Sequence, residues 1–255
     1  MKKFLLLSAC LVSFGLQASD CKYEKSIDQT LDLADSEELT VKAAAGELRI
    51  SGVVGSEVAV IKGRVCVSEK EWLAESGVET SGGRQAEITV ELPDTDDGGS
   101  WTGNNYAHLD LELEVPEGVR LNVKDSSGEI RMEGVTVASV QDSSGDLEIT
   151  DSTGPVSIKD SSGLIDLTDI NGNVTIESDS SGDIFGKDIE GTVLVQNDSS
   201  GDIRFKNVSG DFVVERDSSG DISADRVGGN FEVQRDGSGE IHASNVTGEV
   251  STPSD

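Results

Sequence analysis

The sequence predicts an all-β fold: a single parallel β-solenoid whose coils of about 19 residues stack into a rod, expected to be right-handed. Three observations predict it. The tetrapeptide Asp-(Ser/Gly)-Ser-Gly occurs seven times between residues 125 and 239. Apolar residues recur two and four positions after the closing glycine of most copies. A further glycine stands nine positions after the closing glycine in six of the seven units.

The closing glycines set the period of the repeat. Their spacings are 17, 18, 19, 19, 19 and 19 residues, which is typical of stacked and nearly identical units. We expect each of them to be a structural corner with a positive φ. They are Gly128, Gly145, Gly163, Gly182, Gly201, Gly220 and Gly239.

Each unit is interpreted as a strand, an Asp corner (the tetrapeptide), a second strand and a second corner (the later glycine). Apolar residues two apart, such as Val193 and Val195, indicate strands with one buried face. No unit carries enough apolar surface to fold alone, so the coils must share one core. We expect positive φ at the glycines of the second corner as well.

The same template finds an additional coil near the N-terminus. Counted from Gly46, the matching positions are Leu48, Ile50, Val53 and Gly55, so the rod is expected to begin near residue 40. Residues 87–92 and 108–115 alternate as strands do. Residues 94–105 are interpreted as a polar loop, and residues 69–75 as a short helix.

The first 18 residues are interpreted as an export signal peptide. Lys2 and Lys3 precede a short apolar run at residues 4–16, which is too short and too interrupted to span a membrane. A lipoprotein signal ending at Cys10 is the alternative. The domains predicted are the signal at 1–18, an N-terminal β region at 19–117, the seven-coil solenoid at 118–250 and a tail at 251–255. The protein is expected in the periplasm or at the cell exterior.

Removal of the signal leaves two cysteines, Cys21 and Cys66. Two cysteines in an exported chain most simply form one disulfide bond, which would join the mature N-terminus to the body of the N-terminal region. Two free thiols are the alternative.

The chain is strongly acidic, with a formal net charge of −29. Such a chain is repelled by nucleic acids and by anionic lipid surfaces, so neither is expected as a partner. The expected partner is an envelope protein or a glycan. Acidity also favours contact with divalent cations.

Residues 109–119, Leu-Asp-Leu-Glu-Leu-Glu-Val-Pro-Glu-Gly-Val, lead into serial Ser-Gly-Asp-Ile units. Together with the signal peptide, this pattern resembles the bacterial putative-adhesin, β-strand-repeat domain family of unknown function over residues 38 to 250. The resemblance implies an exported β-helix-type protein and no activity, because the family has no established reaction. The uniform Asp corner and the acidity depart from the looser family pattern.

Stacking would place two acidic columns side by side, one of corner aspartates and one of the residues after the closing glycines. Neighbours ~4.8 Å apart would repel by about 0.9 kcal/mol in water. Backbone N–H groups at the corners could offset this repulsion, and so could bound Ca²⁺. No cofactor is expected unless calcium binds. The calcium candidates are Asp179, Asp183, Asp198, Asp202, Asp217 and Asp221.

Catalytic groups do not form a recognisable constellation in the sequence, so no enzyme activity is expected. Glu148 and Asp166 could form a pair of carboxylates on neighbouring coils, as polysaccharide-cleaving solenoids use. His108 and His242 are interpreted as surface histidines. The loop with Trp101 and Tyr106 is a candidate partner contact or a solvated hairpin tip.

The expected function is therefore an adhesin-like or scaffold protein of the cell envelope. A polysaccharide-binding or polysaccharide-cleaving solenoid and a calcium-binding repeat protein are the alternatives.

Overall fold

The computed structural model describes residues 21–95 and 105–253, and it confirms the all-β solenoid. Two sheets of eleven strands face each other across one core, and each repeat coil adds a strand to each sheet. The described strands are β1 (Tyr23–Asp32), β2 (Glu38–Lys42), β3 (Leu48–Val53), β4 (Val58–Val67), β5 (Gly77–Ser81), β6 (Gln85–Glu91), β7 (Ala107–Pro116), β8 (Arg120–Lys124), β9 (Ile130–Glu133), β10 (Thr136–Gln141), β11 (Leu147–Thr153), β12 (Val156–Lys159), β13 (Ile165–Asn171), β14 (Val174–Ser178), β15 (Ile184–Ile189), β16 (Val193–Val195), β17 (Ile203–Val208), β18 (Phe212–Val214), β19 (Ile222–Val227), β20 (Phe231–Val233), β21 (Ile241–Val246) and β22 (Val250–Ser251).

The coils stack in register, as the period predicts. In the first sheet, Ile184 pairs with Ile203, which pairs in turn with Ile222 on the next parallel strand. In the second sheet, Val193 pairs with Phe212 and Phe212 with Phe231. These residues are fully buried. Each apolar column therefore becomes a continuous ladder in the core, and about seven 19-residue turns share it.

The additional coil predicted from Gly46 is present. Leu48 on β3 pairs in parallel with Ile130 on β9, and β2 pairs in parallel with β8. Leu48 and Ile50 are both buried. The rod therefore starts before residue 118, and its first sheet and second sheet continue through this coil.

The N-terminal end departs from a purely parallel solenoid. β6 and β7 stack in parallel on β2 and β3, but β4 runs antiparallel to β7, β1 antiparallel to β4 and β5 antiparallel to β6. The predicted strands at 87–92 and 108–115 correspond to β6 and β7. A single 3₁₀ turn, Lys70–Leu73, stands where the short helix was expected.

A disulfide bond joins the predicted pair, Cys21 and Cys66, whose Cα atoms are 5.6 Å apart. Cys66 lies near the end of β4 and is buried. The bond holds the start of the described chain against the antiparallel strands. The predicted signal peptide and Trp101 lie outside the described residues.

The two corners differ in their backbone conformation. All seven closing glycines have φ between 127° and 147°, as predicted. The expectation is wrong for the second corner, where Gly154 alone among the six glycines has a positive φ. A Cβ atom at the others would lie within 3 Å of an atom of the preceding coil. Close stacking, not backbone conformation, therefore accounts for glycine there. The handedness of the coil stays a prediction.

No helix in residues 21–95 and 105–253 has the length and apolar character needed to cross a bilayer.

Candidate functional site

The corner aspartates form a column inside the rod. Each side chain points inward at the end of a strand of the second sheet, and the parallel bridge between Asp179 and Asp198 shows how adjacent members stack. Their exposed fractions lie between 1% and 6%. We name this set the buried aspartate column: Asp125, Asp142, Asp160, Asp179, Asp198 and Asp217. Asp236 continues it at the C-terminal end, half-buried.

The carboxyl groups of this column are incompletely paired, and the pairing alternates. In Asp142, Asp179 and Asp217 one oxygen accepts a serine N–H of the corner, at 2.7–3.3 Å, and the other oxygen has no partner. In the intervening members both oxygens are without a partner; these are Asp125, Asp160 and Asp198.

Burial raises the pKa of every member of the column. Desolvation is the main cause, and adjacent aspartates add repulsion at Asp125, Asp160, Asp198 and Asp217. The pKa of Asp125 and that of Asp198 rise to about 7, and those of Asp160 and Asp217 rise to about 6. The pKa values of Asp142 and Asp179 are also raised by desolvation, against the opposing effect of the serine N–H groups.

The second acidic column follows the closing glycines and lies at the surface. Its carboxylates accept hydrogen bonds from the backbone of the next coil. Asp183 accepts the N–H of Asp202 at 2.8 Å, and Asp202 accepts that of Asp221 at 2.8 Å. Asp221 accepts the N–H of Glu240 in the same way. We name Asp183, Asp202 and Asp221 the outer aspartates.

The six calcium candidates thus divide into two different sets. Asp179, Asp198 and Asp217 face the core, whereas the outer aspartates bind backbone N–H groups of the next coil. Within residues 21–95 and 105–253, no three carboxylate, imidazole or thiolate side chains form a group that could hold a metal ion. Calcium binding stays a prediction.

The structure brings the candidate carboxylate pair together. Glu148 on β11 pairs in register with Asp166 on β13. Glu148 is already engaged, because Nε of Arg131 donates to its carboxylate at 3.0 Å. The two histidines lie far apart: His108 is on β7, 6.1 Å from the ring of Tyr106 between centroids, and His242 is exposed on β21.

A groove runs along the outside of the rod beside the second corner. Its volume is about 710 Å³, and it extends over six successive coils. Buried apolar residues such as Ile189 and Val208 are part of its lining. The walls are two rows of mainly polar residues, Asp151, Asp169, Asp188, Asn207, Arg226 and Asn245 in the first row and Asn171, Glu190, Ser209, Gly228 and Thr247 in the second.

The first row of the groove has an unusual backbone. All six of its residues adopt a left-handed conformation, with φ between 53° and 60°. Aspartate and asparagine tolerate this conformation better than other non-glycine residues, and five of the six are one or the other. These residues stand six positions after the closing glycine in six of the seven units, a sequence signal that the template of strands and corners does not include.

Hydrogen bonds join three successive members of this row, Asp188, Asn207 and Arg226. Nδ2 of Asn207 donates to Asp188, and Nε of Arg226 donates to Oδ1 of Asn207. The bond from Asn207, with Lys187 nearby, lowers the pKa of Asp188. Nδ2 of Asn245 donates to Asp225 at 2.7 Å. The groove therefore presents a pre-ordered line of carboxylate, amide and guanidinium groups.

A smaller hollow of about 320 Å³ lies on the outer face of the first sheet. Arg204, Lys206 and His242 line it, together with Ser223 and Ser244. The guanidinium of Arg204 lies 5.5 Å from the ring centroid of Phe185. Asp225 also lines the hollow, which therefore presents both cationic and acidic side chains.

Comparison with known proteins gives one family match. The model of the Toastrack DUF4097 domain matches residues 65–252. No curated protein matches the chain.

Several solved structures are similar. A putative lipid binding protein from Parabacteroides distasonis ATCC 8503 is 18% identical with a TM-score of 0.50, over 90% of this chain and 97% of its own. A putative adhesin from Bacteroides fragilis NCTC 9343 is 11% identical with a TM-score of 0.37, over 94% and 100%. A putative cell adhesion protein from Clostridium sporogenes ATCC 15579 is 12% identical with a TM-score of 0.35, over 90% and 99%.

Proposed function

Because the chain belongs to the Toastrack DUF4097 family, we propose that it is a non-catalytic, adhesin-like interaction protein of the cell envelope that contacts its partner through the groove. The groove carries the proposal. It is a long concave surface whose first row carries aspartate or asparagine in five of six coils, while its second row varies from coil to coil. Stacked repeats create extended concave surfaces of this kind, which solenoid proteins use for binding.

Export is part of the proposal, and two features support it. The first 18 residues have the pattern of a signal peptide. The bond between Cys21 and Cys66 is of a kind that persists in oxidising compartments. The periplasm and the cell exterior both satisfy this condition.

A glycan is the partner that the lining of the groove favours. Carboxylate and amide side chains, which bind hydroxyl groups at two points, repeat along it at the coil spacing of ~4.8 Å. A polysaccharide extended along the groove would meet an equivalent polar group at each coil. Cleavage is not part of the proposal, because Glu148 is already ion-paired with Arg131.

The test is a panel of neutral and acidic glycans, assayed separately for binding and for cleavage. We expect binding without release of products. The double variant Asp188→Gly and Asn207→Gly removes two polar groups of the groove and keeps the left-handed backbone, so affinity is expected to fall about tenfold.

The matched control is Asn197→Ala with Gln234→Ala, two exposed polar residues outside the groove, and it should bind as the parent does. Equal binding by the groove variant would contradict the proposed surface. Cleavage of any glycan by the parent would contradict the non-catalytic function.

A further inference from the structure

The buried aspartate column places acidic side chains where water does not reach them. Each member is at least nine-tenths buried and has one or two carboxyl oxygens without a hydrogen-bond partner. A buried carboxylate is strongly unfavourable unless a cation or several donors neutralise it. Here six such groups stand in a row at a spacing of ~4.8 Å.

No cationic side chain among the described residues compensates for this charge. The flanking basic residues Lys124, Lys159 and Arg216 are exposed or half-exposed, and Lys159 is paired with Glu177 at 2.7 Å. The ionised groups that act on the column are themselves acids, namely its own neighbouring members and, near Asp217, Asp202 and Asp236.

We propose that the buried aspartate column is a proton-binding ladder, in which Asp125, Asp160 and Asp198 carry protons and donate them to the intervening aspartates. The geometry of the serine hydrogen bonds, which is complete only at the intervening members, favours these roles. Asp142, Asp179 and Asp217 accept serine N–H groups, which favour the ionised form. Corner serine N–H groups also act on the other three carboxyl groups but leave both of their oxygens without a partner, and an O–H group on each would pair one of its orphan oxygens with that of an adjacent aspartate.

A proton fits this site better than a metal ion does. The orphan oxygens are almost inaccessible, so a metal ion could not keep its water ligands there. No third carboxylate joins any adjacent pair among the described residues to complete a metal site. A shared proton needs only two carboxyl groups side by side.

The ladder makes the stability of the rod depend on pH in an unusual direction. The folded chain holds protons that the unfolded chain releases above its ordinary aspartate pKa, because the folded pKa values of Asp125, Asp160 and Asp198 are raised to about 6 or 7. Their contribution is complete below the unfolded pKa and is lost as the pH rises through the folded pKa. The rod is therefore stabilised by mild acid, the condition that weakens most carboxylate-rich proteins.

The experiment follows thermal unfolding of the disulfide-bonded chain between about pH 8 and about pH 5. We expect Tm to rise by roughly 5 °C or more on acidification, and folding near pH 5 to take up about two or three protons. The infrared band of protonated carboxylic acid should be present in the folded protein at about pH 6. A flat or falling Tm together with absence of that band would overturn the ladder.

Two double variants test whether the pH dependence of Tm comes from the buried aspartate column. Asp160→Asn with Asp198→Asn replaces two of the three shared protons by fixed N–H donors, so Tm should rise at about pH 8 and the pH dependence should fall to the part that Asp125 contributes. The control, Asp183→Asn with Asp202→Asn, removes two charges from the outer aspartates and should keep the pH dependence. The same pH dependence of Tm in both double variants would overturn the assignment of the protons to the buried aspartate column. If the first variant does not fold, the infrared band of the parent protein tests the ladder instead.

Bound Ca²⁺ is the alternative to protons as a source of positive charge in the buried aspartate column. Addition of Ca²⁺ at about pH 8 should leave Tm below its value at about pH 5, with no advantage over Mg²⁺. A rise specific to Ca²⁺ that is lost in the Asp160→Asn, Asp198→Asn variant would show a cation site in place of the proton ladder.

Discussion

At the residue scale, the closing glycine of the Asp corner is required for two separate reasons. Gly201 has φ of 130°, a conformation that side chains rarely adopt. A Cβ atom built on it would also lie 1.7 Å from the carbonyl oxygen of Gly182 in the preceding coil. The same contact recurs along the column, so the coils stack at the corner backbone against backbone.

Replacement of Gly201 by alanine should therefore destabilise the rod by roughly 3 kcal/mol, from strain and from loss of close stacking. Chemical denaturation with a tryptophan or circular dichroism signal measures the change. Gly77→Ala is the matched control, because a Cβ atom there would have no neighbour within 4 Å, and it should change stability by less than about 1 kcal/mol. Equal losses in the two variants would show that stacking does not explain the regular spacing of the corner glycines.

The residue scale also shows what the sequence leaves undetermined. Periodicity predicts which strand residues face inward, and Ile203 and Phe205 do so. It says little about corner residues, which lie outside the alternation of a strand. For this reason the sequence does not predict the burial of Asp198, although it does predict its place in an acidic column.

At the element scale, neighbouring strands fit one another by complementary size. Phe205 on β17 pairs with Gly186 on β15 and Ala224 on β19, and its ring occupies the space beside Gly186. Its centroid lies 5.3 Å from that of Phe212 on β18, across the core. A large residue on one coil is thus accommodated by small residues on the coils above and below it.

Gly186→Ala tests this fit. The new methyl group would lie 2.0 Å from Cε1 of Phe205, so we expect a loss of about 1–3 kcal/mol from overpacking. Phe205→Leu in the same background should recover part of the loss, and a double-mutant cycle measures the coupling. Additive effects of the two substitutions would argue against direct contact.

Strand pairing was predictable wherever the repeat template applies. The coil that begins at Gly46 follows from four matching residues, and its pairing with β9 confirms it. The antiparallel strands β1, β4 and β5 lie outside the template, because alternation predicts a strand without predicting its direction or its partner. The groove was missed for a related reason, since it depends on left-handed residues such as Asn207 at a position that alternation does not describe.

At the scale of the whole molecule, the two described ends of the rod differ. Antiparallel strands and the disulfide bond close the N-terminal end, where Cys66 is buried. At the other end Ile241 and Val246 of the last repeat coil are partly exposed, and Val250 is 57% exposed. Stability is therefore expected to decrease toward the last coil, since each coil is stabilised by its neighbours.

Removal of the disulfide bond tests the closed end. The double variant Cys21→Ser and Cys66→Ser opens a loop with a sequence separation of 45, and a loss of about 4 kcal/mol is expected from the greater freedom of the unfolded chain. Equilibrium unfolding in denaturant measures it. Reduction of the disulfide bond in the parent protein should lower the unfolding free energy by the same amount. If the denaturation midpoint changes neither in the double variant nor on reduction, the antiparallel strands close this end without the disulfide bond.

The constant period of the last four coils has a consequence for how such a chain can change in evolution. The closing glycines from Gly182 to Gly239 are 19 residues apart, so loss of residues 202–220 would join Gly201 to Asp221 with every column continued. Duplication of the same segment would lengthen the rod equally cleanly. A gene of this kind can therefore vary in length by whole coils through simple recombination, and natural selection can adjust the reach of the protein independently of its core.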